Sequence, residues 1–85
     1  MKYKIVFLPI ARKELISLPH EIQKRIDRKI IALADDPRPH DVKALQGGKK
    51  LYRVRVGDYR IVFNIEDKII TVIIVRVRHR KDVYR

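Results

Sequence analysis

Two runs of alternating apolar and polar residues in the second half of the chain are joined by a two-residue turn. Leu51–Val56 and Tyr59–Ile65 flank Gly57 and Asp58, and glycine at the first central position is typical of a tight β-hairpin. A loop of this length sets the strand register, and successive side chains then point to opposite faces of the sheet. One face therefore carries six apolar or aromatic residues, Tyr52, Val54, Val56, Tyr59, Ile61 and Phe63. We expect this face to form the core.

The other face of the hairpin, which we call the arginine face, is predicted to carry Arg53, Arg55 and Arg60, together with Val62. The register places Arg55 directly opposite Arg60. Like charges in a cross-strand pair destabilise a sheet by a few tenths of a kcal/mol up to about 1 kcal/mol. An anion that bridges the two guanidiniums would turn that cost into a gain, whereas the alternative is that they splay apart into water. We favour an anion-binding face.

A third strand is predicted from about Ile69 to Arg78, and two registers are open to it. A two-residue loop after Ile65 would turn Arg76 and Arg78 into the core. A three-residue loop, residues 66–68, moves both arginines to the arginine face instead. The second register is preferred, because an unpaired buried arginine is costly. Its predicted core positions are Ile69, Ile73, Val75 and Val77.

The first half of the chain predicts one strand and two helices. Lys2–Leu8 alternates with a period of two, Pro9–Leu18 reads as a short helix, and a second helix runs from Pro19 to about Asp35. The apolar stripe of the second helix consists of Ile22, Ile26, Ile30 and Leu33. The order β-α-α-β-β-β predicts an α+β fold, in which an antiparallel twisted sheet carries an N-terminal helical hairpin on one face. One domain should span residues 1–85.

The charge balance points to a polyanionic partner. Lys and Arg number 21 against 10 Asp and Glu, a formal net charge of +11 on 85 residues. Nucleic acid is the first candidate, an acidic protein the second and an anionic membrane the third.

Cysteine is absent and the histidines lack metal-ligand spacing, so we expect no disulfide, metal or cofactor. The longest apolar run, Ile69–Val75, is too short to span a bilayer, and the N-terminus lacks a signal-peptide pattern. A cytoplasmic protein without a membrane partner is expected.

The segment LYRVRVGDYRIVFNIEDKIITVIIVRVRHRKDVYR, Leu51 to Arg85, resembles the RelE branch of the RelE/ParE toxin superfamily. The helical run ARKELISLP and the segment DDPRPHDVKALQGG fit the same pattern, so the resemblance covers essentially the whole chain. It implies a toxin that cleaves mRNA in the ribosomal A site and that is held inactive by an acidic antitoxin, with a toxin–antitoxin heterotetramer as one assembly. In the implied chemistry the ribose 2′-OH attacks the adjacent phosphate and leaves a cyclic phosphate, without metal or cofactor.

The resemblance also implies the site residues. Matching catalytic positions are Arg53, Arg55, Arg60, Arg80 and, across a small gap, Tyr84. The best-known RelE has lysines in place of the first two, and a guanidinium cannot act as a general base. The YoeB subfamily uses a glutamate where this chain has Lys43, and its catalytic histidine aligns with His79. We therefore predict that the arginines bind and stabilise the phosphate, and that His79 or Tyr84 moves protons or orients the nucleobase. In the alternative, Tyr84 only stacks on a nucleotide.

Six further cations are predicted to bind RNA around this site: Lys49, Lys50, Arg76, Arg78, Lys81 and Arg85. Two rival functions stay open. The first is the gyrase poisoning of the ParE branch, whose members tend to be longer and to have an extended helical hairpin. The second is a non-catalytic module that holds RNA or an acidic partner on the arginine face without cutting.

Overall fold

A computed structural model describes residues 2–45 and 51–83, and it confirms the predicted α+β class. The elements are β1 (Lys4–Phe7), α1 (Pro9–Ile16), α2 (His20–Asp35), β2 (Lys43–Ala44), β3 (Leu51–Val56), β4 (Tyr59–Glu66), β5 (Thr71–His79) and α3 (Arg80–Val83), with a 3-10 turn at Asp67–Ile69. The predictions made for Lys49, Lys50, Tyr84 and Arg85 lie outside the described residues. None of the described helices is long and apolar enough to cross a membrane.

One sheet contains all of these strands, in the order β1-β5-β4-β3-β2. The predicted antiparallel pairing is confirmed for β3–β4 and β4–β5, and β2 also pairs antiparallel with β3, but β1 runs parallel to β5. The prediction of an antiparallel sheet is therefore wrong for β1. A parallel neighbour needs a long connection, and the helices and the intervening antiparallel strands supply it. The two-residue strand β2 was predicted as part of a loop.

The β3–β4 hairpin has the register that its turn predicts. Val56 pairs with Tyr59, and Arg55 pairs with Arg60. Gly57 has φ of 60°, and Ile70 is the only non-glycine with positive φ in the described part of the chain. A turn with positive φ at its first central position alone is type II′, which matches the right-handed twist of the flanking strands. This turn is the reason that the arginines face each other.

The register of β5 changes at a bulge. Val62 pairs with Arg76 and Phe63 with Ile74, so Val75 is an extra residue on β5. Val72 and Ile74 are fully buried before the bulge, and Val77 is 2% exposed after it. Of the four predicted core positions only Val77 is correct: Ile69 is 66% exposed, and Ile73 and Val75 are half-buried. The extra residue reverses the alternation, which no single loop length can reproduce.

Both helices pack on the predicted core face of the sheet. The stripe on α2 is confirmed, since Ile26, Ile30 and Leu33 are buried and Ile22 packs beside them. Helix α1 buries Ala11 and Leu15, four residues apart, and ends at Ile16 instead of the predicted Leu18. The central sheet residues of this core are Val54, Ile61 and Phe63, as predicted. The helices α1 and α2 thus pack on the side of the sheet opposite the arginine face.

Candidate functional site

The arginine face carries a row of three guanidiniums across three strands. Arg55 on β3 pairs with Arg60 on β4, which pairs with Arg78 on β5. Neighbouring strands lie about 4.8 Å apart, so the three backbone positions fall within about 10 Å. The adjacent row consists of Lys43, Arg53, Val62 and Arg76. Neither row contains an acidic residue, and the sheet therefore concentrates positive charge on one patch.

The basic side chains at the β2 side of this patch are not neutralised within the described residues. Lys43, Arg53 and Arg55 have no carboxylate within ion-pair distance there. Arg60, at the centre of the row of three arginines, is buried, with 9% of its surface exposed. Guanidiniums that are held side by side by the strand register repel each other, and an anion between them would remove the repulsion.

A cavity of about 380 Å³, the first cavity, opens where β2 meets β3. Its lining consists of Asp41, Lys43, Arg53, Val54 and Arg55. The hydrogen bond from Lys29 Nζ to Asp41 Oδ2, 2.6 Å long, lowers the pKa of the Asp41 carboxyl. Asp41 was missed from the sequence, and Lys43 entered only as the residue in place of a glutamate. No sequence signal singles out these two residues, because β2 is only two residues long; in the structure Val42, between them, packs on the core.

Arg76 is engaged by helix α1 and does not extend the arginine face. Its Nε lies 3.1 and 3.2 Å from the two oxygens of Glu14, and its Nη2 donates to Glu14 Oε2 at 2.7 Å. The backbone N–H of Val77 donates to Glu14 Oε1 at 2.8 Å. Burial raises the pKa of Glu14, but these bonds and the charges of Arg76 and Arg78 outweigh it, so the pKa is lowered. The RNA-binding role of Arg76 stays a prediction, for a side chain that already pairs with Glu14.

His79 lies on the opposite face from the arginines. It pairs with Tyr59, and the two rings meet edge to face, with centroids 5.0 Å apart and planes at 87°. Tyr59 packs against the core, and the alternation along β5 separates His79 from Arg78. The Nδ1 of His79 accepts a hydrogen bond from the backbone N–H of Lys81 at 3.2 Å. The expectation that His79 stands beside the arginines is wrong.

Arg80 lies at the hairpin end of the sheet, which is also the end that carries the arginine row. Its backbone N–H donates to the Asp58 carbonyl at 2.7 Å, and its Nε is 3.9 Å from Asp58 Oδ1. Lys81 is exposed in α3.

The structure brings together four of the predicted site residues that it describes: Arg53, Arg55, Arg60 and Arg78. Residues 2–45 and 51–83 contain no cluster of three His, Asp or Glu side chains that could hold a metal ion.

Comparison with known proteins finds matches over almost the whole chain. A family model described as the ParE toxin of the type II toxin-antitoxin system parDE matches residues 5–84. Toxin RelG of Mycobacterium tuberculosis is 36% identical over 92 residues, which cover 100% of this chain and 99% of RelG. Toxin RelE3 of Methanocaldococcus jannaschii is 36% identical over 85 residues, which cover 95% and 94%. A chain in the crystal structure of the toxin-antitoxin complex RelBE2 from Mycobacterium tuberculosis superposes with a TM-score of 0.84 at 30% identity, covering 94% of this chain and 93% of that one.

Proposed function

Because the chain belongs to the RelE branch of the RelE/ParE toxin superfamily, we propose that it is a toxin that cleaves mRNA on the ribosome. The observation that carries the proposal is the cross-strand row of Arg55, Arg60 and Arg78, with Arg53 in the next row. A guanidinium offers a planar fork that fits phosphate oxygens and stacks on bases. Several forks on one sheet face suit a phosphodiester.

The proposed reaction is attack by a ribose 2′-OH on the neighbouring phosphorus. The new P–O2′ bond forms as the P–O5′ bond breaks, which leaves a cyclic phosphate on one fragment and a free 5′-OH on the other. Negative charge grows on the phosphorane oxygens in the transition state. Arg55 and Arg78 flank the buried Arg60, so their guanidiniums would bind that charge more tightly than the ground-state phosphate.

Proton transfer is the part of the reaction that the described arginine face supports least. An arginine cannot accept the proton of the 2′-OH, and His79 points to the other side of the sheet. Of the described residues that line the first cavity, one is a carboxylate, Asp41, and it is already paired with Lys29. We therefore assign proton transfer to Tyr84 or to a group of the ribosome. A face without its own base would depend on the ribosome to hold the 2′-OH in line, and positioning alone can supply several kcal/mol.

The proposal is tested by mapping mRNA ends in a translation extract. Wild type should cut ribosome-bound mRNA and leave free mRNA intact. Arg55→Ala should cut at least about 100-fold more slowly, the usual effect of removing one donor to a developing anion. Lys68→Ala is the matched control, because Lys68 is exposed in the 3-10 turn and lines neither cavity next to Arg55. Wild type that binds ribosomes and leaves the mRNA whole would favour the non-catalytic binding module.

A second candidate function, inhibition of DNA gyrase, comes from the matching family model, which is described as a ParE toxin. It is addressed by a supercoiling assay with purified gyrase. We expect no inhibition at concentrations at which the protein stops translation. Loss of supercoiling with intact mRNA would reverse the order of the two candidates.

We further propose an acidic antitoxin as the partner. The formal net charge of +11 and the similarity to a chain from a toxin-antitoxin complex support it. The antitoxin would neutralise the toxin by covering the arginine face or by displacing the C-terminal segment. The test is to co-express the adjacent reading frame, which should restore growth. Toxicity that persists at saturating amounts of that product would count against it.

A further inference from the structure

A second basic cavity lies around the edge of the sheet from the arginine face. It has a volume of about 450 Å³ and is lined by α2 and by the β3–β4 turn. The α2 residues in the lining are Arg25, Arg28, Lys29 and Ala32, which recur at the spacing of one helix face. The strand and turn residues are Arg55, Val56 and Gly57. Among the described residues, the lining thus contains several cations and no carboxylate.

The charges of this second cavity are only partly neutralised. Lys29 pairs with Asp41 at 2.6 Å. Arg25 and Arg28 are exposed, and neither has a carboxylate within ion-pair distance in the part of the chain that the structure describes. Two such guanidiniums one helical turn apart repel each other, and a polyanion would relieve the repulsion.

Arg25 has a defined place over the turn. A Cβ on Gly57 would lie 3.1 Å from Nη2 and 3.4 Å from Nη1 of Arg25, so the guanidinium lies over the glycine. The type II′ turn needs glycine for its φ of 60°, and the missing side chain also leaves room for Arg25. The guanidinium therefore lies over the turn, and Arg25 lines the same cavity as Arg55.

The two cavities share Arg55. Strand β2 pairs only with Tyr52 and Arg53, so Val54–Val56 form an edge without a strand neighbour on that side in the described chain. An extended strand of RNA that leaves the arginine face can pass over this edge and reach Arg25 and Arg28. Charge that continues around an open edge suits a long polyanion better than a single small anion.

We propose that the second cavity binds backbone phosphates of RNA nucleotides outside the segment held on the arginine face. The inference rests on the proposed function, because it extends the same RNA path. Contacts of this kind raise affinity without reading sequence. They should therefore affect binding of long RNA and leave binding of very short RNA unchanged.

The experiment compares the double variant Arg25→Gln/Arg28→Gln with the charge-matched control Lys13→Gln/Lys68→Gln, whose residues are exposed and line neither cavity. Fluorescence anisotropy measures the affinity for oligouridylates of about 4 and about 16 nucleotides, the range of known single-strand site sizes. On the long RNA, the loss of two phosphate contacts should lower the slope of log K against log salt by about 1.4. The ratio of the binding constant of the control to that of the double variant on the long RNA should then fall about sevenfold between about 50 and 200 mM salt.

Several outcomes would overturn the inference. Equal slopes for the two double variants on the long RNA would do so, as would an equal loss on both RNA lengths. Equal slopes together with weaker binding of a polyglutamate peptide would assign the cavity to an acidic protein. The single variant Arg28→Gln, which leaves Arg25 over the turn, should show half of the slope change and guards against a folding defect. Wild type that binds neither RNA length would also overturn the inference, whereas the mapping of mRNA ends in a translation extract tests the proposed function separately.

Discussion

Glu14→Gln is expected to loosen helix α1 from strand β5. The carboxylate of Glu14 accepts hydrogen bonds from Arg76 Nη2 at 2.7 Å and from the backbone N–H of Val77 at 2.8 Å, and Arg76 Nε lies 3.1 Å from it. β1 pairs only with Thr71–Ile74, so Glu14 binds the part of the β5 edge that β1 does not reach. Glutamine keeps the shape of the side chain, but it removes the charge and turns an NH2 group toward donors.

The magnitude follows from the burial of the pair. Exposed ion pairs contribute about 0.2–1 kcal/mol, and breaking a fully buried pair costs about 3–5 kcal/mol. The side chains of Arg76 and Glu14 are 32% and 22% exposed, which lies between these limits. We expect the free energy of unfolding to fall by about 1–2 kcal/mol. For a domain of this size each kcal/mol lowers Tm by about 4–8 °C.

The assay is urea unfolding in a double-mutant cycle with Arg76→Gln. Lys13→Gln is the control, because it removes a charge from the same helix at an exposed position. The two glutamine substitutions should couple by about 1 kcal/mol, whereas distant sites add within about 0.3–0.5 kcal/mol. A coupling energy below about 0.3 kcal/mol, as for distant sites, would refute the assignment of the ion pair as the link between α1 and β5.

The same pair predicts how stability depends on pH. The pKa of Glu14 is lowered in the folded state, because hydrogen bonds from Arg76 and Val77 outweigh the effect of burial. A depressed folded pKa contributes stability above the unfolded pKa, and that stability is lost as the pH falls through the folded pKa. The stability difference between wild type and Glu14→Gln should therefore be constant above the ordinary value of 4.5 and shrink below it. A difference that grows on acidification would contradict this sign.

Four other substitutions test the core, the turn and the two faces of the sheet. Phe63→Ala, at a fully buried position, should cost about 3–5 kcal/mol in denaturant unfolding, and a loss under 1 kcal/mol would contradict the core assignment. Gly57→Ala should cost about 1–2 kcal/mol because of its φ of 60°, so an unchanged Tm would argue against the type II′ turn. Arg78→Gln should weaken RNA binding and His79→Gln should not; the reverse result would put His79 on the binding face.

The sequence predicts best where a local rule determines the geometry. The Gly57-Asp58 turn sets the pairing of Arg55 with Arg60 without reference to the rest of the chain. The apolar stripe of α2 is equally local, because its period is that of the helix. The hairpin register separates the core face of β3 and β4 from most of the arginine face, and the stripe of α2 supplies the residues that pack on the core face.

The sequence predicts least where partners are distant or where the pattern is uniform. Glu14 and Arg76 are 62 residues apart in the sequence, and no local sequence pattern predicts that they pair. Strand β2 has two residues, too few to show a period. Ile69–Val75 is apolar throughout except for Thr71, so it carries no alternation that could reveal a bulge.

The bulge at Val75 explains how one strand serves both the core and the arginine face. Glu66 pairs with Thr71, so the connection before β5 has four residues, and both predicted loop lengths are wrong. In the first half of β5 this register buries Val72 and Ile74, the alternation that a two-residue loop would also have given. Continued without a bulge, that register would also turn Arg76 and Arg78 into the core, at a cost of several kcal/mol for each unpaired charge. An extra residue sacrifices about one ladder hydrogen bond, worth about 0.5–1.5 kcal/mol, so the bulge is the cheaper solution by a wide margin. Neither predicted pairing is therefore correct, but the alternation of the rejected register holds for the first half of the strand and that of the chosen register for the second, and the bulge between the two halves sets Arg78 beside Arg60.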